Sequence, residues 1–189
     1  MDPYEIAGFV SGVIAVWLTA KESPWCWPTG LVNVSLYIVV FWQAKLYADM
    51  GLQVVYVFLQ IYGWYAWLHG GAGRKRLDVS RLPRRHIGPW LAVCAGATAV
   101  LGGLMSRYTD ASLPYIDAFA TVASLIAQWL MGRKVLESWL VWIVVDVVSI
   151  SMYLVKNLHL TAGLYLVFLV LAAWGWCQWR RSWRGMAMA

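Results

Sequence analysis

The chain is a duplicate of itself. Displaced by 112 positions, Trp17 falls on Trp129, Trp27 on Trp139, Gly51-Leu52 on Gly163-Leu164, and Gly63-Trp64 with Trp67 on Gly175-Trp176 with Trp179. No gap is needed between Ile14/Ile126 and Trp67/Trp179, and 15 of those 54 positions are identical, four of them tryptophan. A shared apolar composition yields chance identities among Val and Leu, but not four coincident Trp. Two copies of one unit in one chain point to a repeat architecture, which in an apolar sequence is the mark of a transporter.

Composition names the solvent. The sequence is 61% apolar and only 13% charged, with 14 Trp, where a soluble domain carries about a quarter charged residues. There are too few polar groups to coat a water-facing surface. Runs long enough to cross a bilayer, which takes ~20 residues, predict seven spans over roughly 4–20, 28–47, 50–69, 88–106, 115–132, 136–155 and 160–179. Pro28 suits the first turn of span 2. Span 1 is expected to be a retained helix rather than a signal peptide, because its flank is acidic (Asp2, Glu5) and it matches span 5 in the repeat. The expected fold is an all-α integral membrane protein of seven transmembrane helices. Its parts are a three-helix repeat over 4–69, a basic loop with linker helix 4 over 70–114, a second three-helix repeat over 115–180 and a tail over 181–189. The repeats start four spans apart, so both copies cross in the same direction, a parallel 3+1+3 duplication. Span 4 is rich in small residues (Ala92, Ala95, Gly96, Ala97, Ala99, Gly102, Gly103), which favours close packing on a neighbour.

Charge predicts orientation. Arg74, Lys75, Arg76, Arg81, Arg84 and Arg85 crowd the 3–4 loop, which should be cytoplasmic. The N-terminus is then outside and the C-terminus inside, with 12 basic residues inside against Lys45, Arg107 and Lys156 outside. The net charge of +6 is a topology signal, with contact to anionic lipid the expected partner of the basic loop, and needs no nucleic-acid partner. Cys26, Cys94 and Cys177 make no CxxC pair or His/Cys ligand spacing, so no metal or cofactor is expected.

The polar residues inside the spans are the candidate site. Asp146 sits mid-span in SWLVWIVVDVVSISMYLV. A carboxylate there costs ~2.5–3.5 kcal/mol on insertion scales and is functional by default. Trp139, Trp142, Ser149 and Tyr153 share its face at helical spacing. Repeat one offers Asn33 and Tyr37 on span 2 and Gln53, Tyr56, Gln60 and Trp64 on span 3, while Gln128 and Ser124 share a face of span 5. The amides could line a route or tie helix to helix. Trp25, Trp27, Trp67, Trp90 and Trp179 lie near span ends and are expected as interfacial anchors. Aromatic rings, neutral amides and one carboxylate suit a flat organic cation. An anion is disfavoured, since no Lys or Arg lies in the interior of a span, away from its ends, and so is a bare metal ion.

The strings WPTGLVNVSLY…LYADMGLQVVYVFLQIYGWYAW and ESWLVWIVVDVVSISMYLVKNLHLTAGLY…WGWCQW resemble the PnuC family of bacterial vitamin transporters over nearly the whole chain. The LYAD, LQ and YGWYAW elements with W-x-x-W-I-x-V-[ND]-V are specific in combination. The resemblance implies a seven-helix, SWEET-like fold, a homotrimer in the bacterial inner membrane, and facilitated diffusion of nicotinamide riboside with a cytoplasmic kinase trapping the product. It places Trp139, Trp142, Gln53, Tyr56 and Gln60 in the lining, with Asp146 where many riboside carriers have Asn. Thiamine, also a flat cation, is the alternative cargo. Proton coupling through Asp146 is a further alternative, although no second acid or His lies in the interior of a span, away from its ends. An enzyme is not expected: there is no GxSxG, HExxH or paired transmembrane Asp, and span 7 lacks the Lys of a retinal photoreceptor.

Overall fold

The computed structural model describes residues 3–43, 45, 47–110 and 112–187; Asp2 of the acidic N-terminal stretch lies outside them. Seven α-helices follow one another: α1 Pro3–Ala20, α2 Cys26–Gln43, α3 Tyr47–His69, α4 Arg84–Tyr108, α5 Pro114–Gly132, α6 Ser138–Val155 and α7 His159–Ala187. Helix α2 begins before Pro28, which sits in its first turn, where a missing N–H is harmless. Helix α7 continues well past Trp179, the predicted end, because the basic run after it is helix-compatible and favourable near a helix C-terminus.

Four helices, Arg84–Tyr108, Pro114–Gly132, Ser138–Val155 and Thr161–Met186, are long and apolar enough to cross a membrane on composition alone, and Ile6–Ala20 is a shorter apolar helix. Helices α2 and α3 are not among them, since they carry the amides and tyrosines of repeat one. Of these, Asn33, Tyr37, Gln53, Tyr56 and Gln60 are half-buried within the helix ring, whereas Tyr65 is exposed. Helix α1 packs on α2 and α7, α2 on α3, α3 on α5, α5 on α6, and α6 on α7, closing a ring of six helices, while α4 stands outside against α5.

The 112-residue displacement reappears in the backbone. The helix boundaries Ala20/Gly132, Cys26/Ser138, Gln43/Val155 and Tyr47/His159 all coincide under it. So do the left-handed residues that end helices: Glu22 (φ 55) with Lys134 (φ 54), and Lys45 (φ 58) with Asn157 (φ 58). A non-glycine residue at positive φ is uncommon and strained, so its recurrence at paired positions shows that both copies make the same turns.

The best-packed region is a tryptophan cluster. Trp27 meets Trp67 edge-on at 5.4 Å and 86°, and their counterparts Trp139 and Trp179 repeat that geometry at 5.4 Å and 86°. Trp67 and Trp179 face each other at 5.6 Å. The hydrogen bonds are exchanged between the copies. Trp67 Nε1–H donates to the carbonyl of Met131 at 3.0 Å, and Trp179 Nε1–H donates to the carbonyl of Thr19, the counterpart of Met131, at 3.0 Å. Reciprocal contacts of this kind are what a two-fold arrangement produces. Trp27, Trp67 and Trp179 are therefore not interfacial anchors as expected: they are 2%, 2% and 0% exposed. An amphipathic ring near a helix end can serve lipid headgroups or a neighbouring helix equally, and here the neighbouring helix offers a carbonyl. Trp25, 71% exposed, stays at the surface.

Below this cluster the 3–4 connection forms a strap. Leu77 N–H donates to Trp67 C=O at 3.0 Å, and Ser80 N–H to Lys134 C=O at 3.0 Å. Arg81 pairs with Glu137 at 2.9 Å, and Val79 is buried in the tryptophan cluster. Lys134 reaches Glu22, its own repeat counterpart, at 2.8 Å, and also donates to Leu77 C=O at 3.0 Å.

Glycine makes the ring packing possible. A Cβ on Gly175 would lie 2.6 Å from Cη2 of Trp139, and one on Gly63 would collide with Trp27, whereas Gly51 and Gly163 face open space. Gly63→Ala and Gly175→Ala should each destabilise the folded protein by about 1–3 kcal/mol in thermal or denaturant unfolding in detergent. Gly51→Ala should be neutral or better. Equal behaviour of all three would contradict the packing described.

Candidate functional site

A cavity of about 770 Å3 runs through the ring of helices, within the ~300–1,000 Å3 typical of small-molecule sites. Trp27, Trp139, Met131 and Ala172 line its floor, directly above Trp67 and Trp179, and it reaches the opposite helix ends at Ile6, Phe41, Tyr153 and Thr161.

The lining is built from repeat-equivalent positions carrying different side chains. Val16 stands opposite Gln128, Gly30 opposite Trp142, Val34 opposite Asp146, Gln53 opposite Tyr165, Tyr56 opposite Phe168, and Gln60 opposite Ala172, and all twelve face the cavity. The floor pair Trp27/Trp139 is identical. The backbone is thus duplicated while the chemistry is split. The carboxylate and Trp142 lie on α6, and the amides of Gln53 and Gln60 on α3.

Ten of the twelve expected site residues line this cavity: Asn33, Tyr37, Gln53, Tyr56, Gln60, Gln128, Trp139, Trp142, Asp146 and Tyr153. Trp64 does not. It points outward at 38% exposure and lines a separate groove at the strap end. Ser149 is buried at 2% exposure but is not part of the lining; it sits ~60° from Asp146 around α6 at 100° per residue, with too short a side chain to reach in.

Asn33 and Tyr56 spend polar atoms on tying helices together. Asn33 Nδ2 donates to Gly8 C=O at 2.6 Å, joining α2 to α1. The Tyr56 hydroxyl lies 2.6 Å from Ser124 Oγ, joining α3 to α5. Asp146, Gln53, Gln60 and Gln128 are different: they line the cavity without a hydrogen bond or ion pair to any described residue. Asp146 is only 3% exposed. A buried carboxylate without a partner is costly, so this position is poised for a ligand group that supplies the missing charge or donors. The indole N–H groups of Trp27 and Trp139 are also buried without a partner. They are packed into the floor, and each such group costs about 1–3 kcal/mol.

Several lining residues escaped the sequence reading. Trp27 is one. Gly8 and Gly12 are others, and these two and Gly30 each admit a neighbour: a Cβ would lie 3.0 Å from Tyr37 Cε2 at Gly8, 3.1 Å from Asn33 Nδ2 at Gly12, and 2.8 Å from Gln60 Cδ at Gly30. The signal for the first two was present, since glycines at four-residue spacing permit close helix approach. No cluster of three or more His, Cys, Asp or Glu able to hold a metal occurs among the described residues.

Comparison with known proteins agrees with a transport route. The sequence profile of the family described as Nicotinamide mononucleotide transporter matches residues 2–181. The nicotinamide riboside transporter PnuC of Escherichia coli (strain K12) is 27% identical over 94% of this chain and 85% of its own length. The riboflavin/roseoflavin transporter RibM of Streptomyces davaonensis is 25% identical over 93% of this chain and 83% of its own. The crystal structure of the vitamin B3 transporter PnuC superposes with a TM-score of 0.73 at 26% identity, over 93% of this chain and 79% of that one. With a ring of membrane helices around a partly polar cavity, and with that match over almost its full length, the chain belongs to the nicotinamide mononucleotide transporter family: it is a multi-pass membrane transporter of the PnuC type and not an enzyme.

Proposed function

We propose that the chain carries nicotinamide riboside across the bacterial inner membrane by facilitated diffusion. The observation that carries this reading is the Asp146 carboxylate, which faces the cavity beside Trp142 with no partner among the described residues. A pyridinium ring stacked on Trp142 brings a delocalised positive charge to that carboxylate. The ribose and carboxamide are then left to Gln53, Gln60 and Gln128, which offer both donors and acceptors. The split lining fits a cargo that is cationic on one side and polar but neutral on the other.

The charge tally puts the strap and the C-terminus in the cytoplasm and the N-terminus outside. The cavity is then closed on the cytoplasmic side by the tryptophan floor, Lys134–Glu22 and the strap. Release inward requires the two repeats to part there, which exchanges the reciprocal Trp–carbonyl bonds for water and hydrates the two orphaned indoles. No other acid lines the cavity among the described residues, which leaves proton coupling without a relay there. Net uptake comes from removal of free product inside, the role of a cytoplasmic kinase. Helix α4 leaves most of its length exposed, a face that homotrimer formation would cover.

Riboflavin is the second reading, supported by the RibM relative. It is neutral and gains less from Asp146. Thiamine is a cation and competes on charge alone, without the ribose hydroxyls that the amides would read.

In proteoliposomes of purified protein, labelled nicotinamide riboside should equilibrate without any ion gradient. Admission of riboflavin or thiamine with exclusion of the riboside would overturn the assignment. Asp146→Asn should keep the fold and weaken riboside binding about tenfold or more, as expected for a hydrogen bond or contact to a charged group. Trp142→Ala should cost about threefold to thirtyfold. If titration calorimetry finds riboside affinity unchanged in both variants, the cargo sits elsewhere.

A further inference from the structure

The strap pairs with the turn between the first two helices of one repeat only. It runs along the α5–α6 turn, where Leu136 N–H donates to Ser80 C=O at 2.8 Å and Leu82 N–H donates to Glu137 Oε2 at 2.7 Å. The counterpart turn of the first repeat lies between α1 and α2, and no described segment pairs with it in this way. Pro24 stands where Leu136 donates, so a strap could not bond there in the same manner. What remains is a groove of about 480 Å3 lined by Lys21, Trp25, Pro28, Trp64, Leu68 and Arg76, with Glu22, Ser23 and Pro24 along the turn.

The groove has a definite chemical character. The charge of Glu22 is taken by Lys134. Lys21 lies 3.8 Å over the Trp17 ring, and neither Lys21 nor Arg76 has an acidic partner among the described residues. Trp25 and Trp64 are 71% and 38% exposed. The groove also sits at the ends of α1 and α3 and the start of α2, the level at which spanning helices leave hydrocarbon and meet headgroups. Two cations without an acidic partner among the described residues, beside exposed indoles at that depth, match one kind of ligand, an anionic headgroup joined to apolar chains.

We propose that this groove binds one anionic phospholipid, with its phosphate between Lys21 and Arg76 and its chains along Trp25, Pro28, Trp64 and Leu68. A zwitterionic lipid brings its own cation to the same two charges and is disfavoured. A free anion gains nothing from the indoles. The site is asymmetric because its counterpart on the second repeat is filled by the strap. A lipid here braces the α1–α2 turn much as the strap braces α5–α6.

Native mass spectrometry of the purified protein titrated with phosphatidylglycerol or phosphatidylcholine tests this. One phosphatidylglycerol per chain should be retained, with phosphatidylcholine about tenfold weaker. Lys21→Ala with Arg76→Ala should weaken phosphatidylglycerol about tenfold or more. Arg74→Ala with Lys75→Ala, which removes the same charge outside the groove, should leave it unchanged. Equal loss in both pairs would show only diffuse attraction to the basic loop and overturn the site, as would inorganic phosphate competing as tightly as the lipid. Should the Lys21/Arg76 double variant fail to fold, Trp25→Ala serves instead. It keeps both cations and should weaken phosphatidylglycerol about threefold with riboside binding intact; unchanged lipid affinity in that variant would overturn the proposal.

Discussion

The molecule depends on an exchange of hydrogen bonds between its two halves. Trp67 donates to Met131 and Trp179 donates to Thr19, each indole reaching into the copy to which it does not belong. Neither repeat can satisfy its own third-helix tryptophan, so neither closes alone. In a hydrocarbon environment a buried donor has no water to fall back on, which makes the pairing a strong constraint on how the halves meet. The edge-on rings, the admitting glycines and the Lys134–Glu22 pair between counterpart residues all gather at this junction, and the cavity floor rests on it.

Duplication explains the scaffold, and its failures explain the site. Where the copies agree, as at Trp27/Trp139, Gly63/Gly175 and Trp67/Trp179, the side chains hold the floor. Where they disagree, at Val34/Asp146, Gly30/Trp142 and Gln60/Ala172, the side chains face the cavity. A symmetric backbone gives two equivalent halves that can rock against each other. An asymmetric lining lets one unsymmetrical molecule bind in one orientation. The strap is a second asymmetry, outside the cavity.

Much of this was legible in the sequence because membrane helices leave few options. The repeat and the spans follow from identity and hydropathy, and Asp146 with Trp142 follows from helical spacing and the cost of a carboxylate in hydrocarbon. The tryptophans were misread as anchors because Trp67 and Trp25 look alike in sequence: both are aromatic rings near a helix end. Which one finds a carbonyl across the axis is a tertiary fact. Asn33 shows the same limit, since a cavity amide and an interhelical tie have the same spacing. The strap could not be foreseen either. Its bonds to Lys134 and Leu136 are backbone pairs that carry no side-chain signature, and the arginines around it spoke only of topology.

We infer that cargo passes when the two repeats part at the floor, along the line joining Glu22 to Lys134. Cysteines placed at these two positions, in a chain whose Cys26, Cys94 and Cys177 are replaced, can be joined by a short reducible crosslinker. The measurement is nicotinamide riboside uptake into proteoliposomes before and after reduction, with riboside binding measured on the same sample. The account predicts unchanged binding, no uptake while crosslinked, and uptake restored on reduction. Full-rate uptake through the crosslinked protein would contradict it.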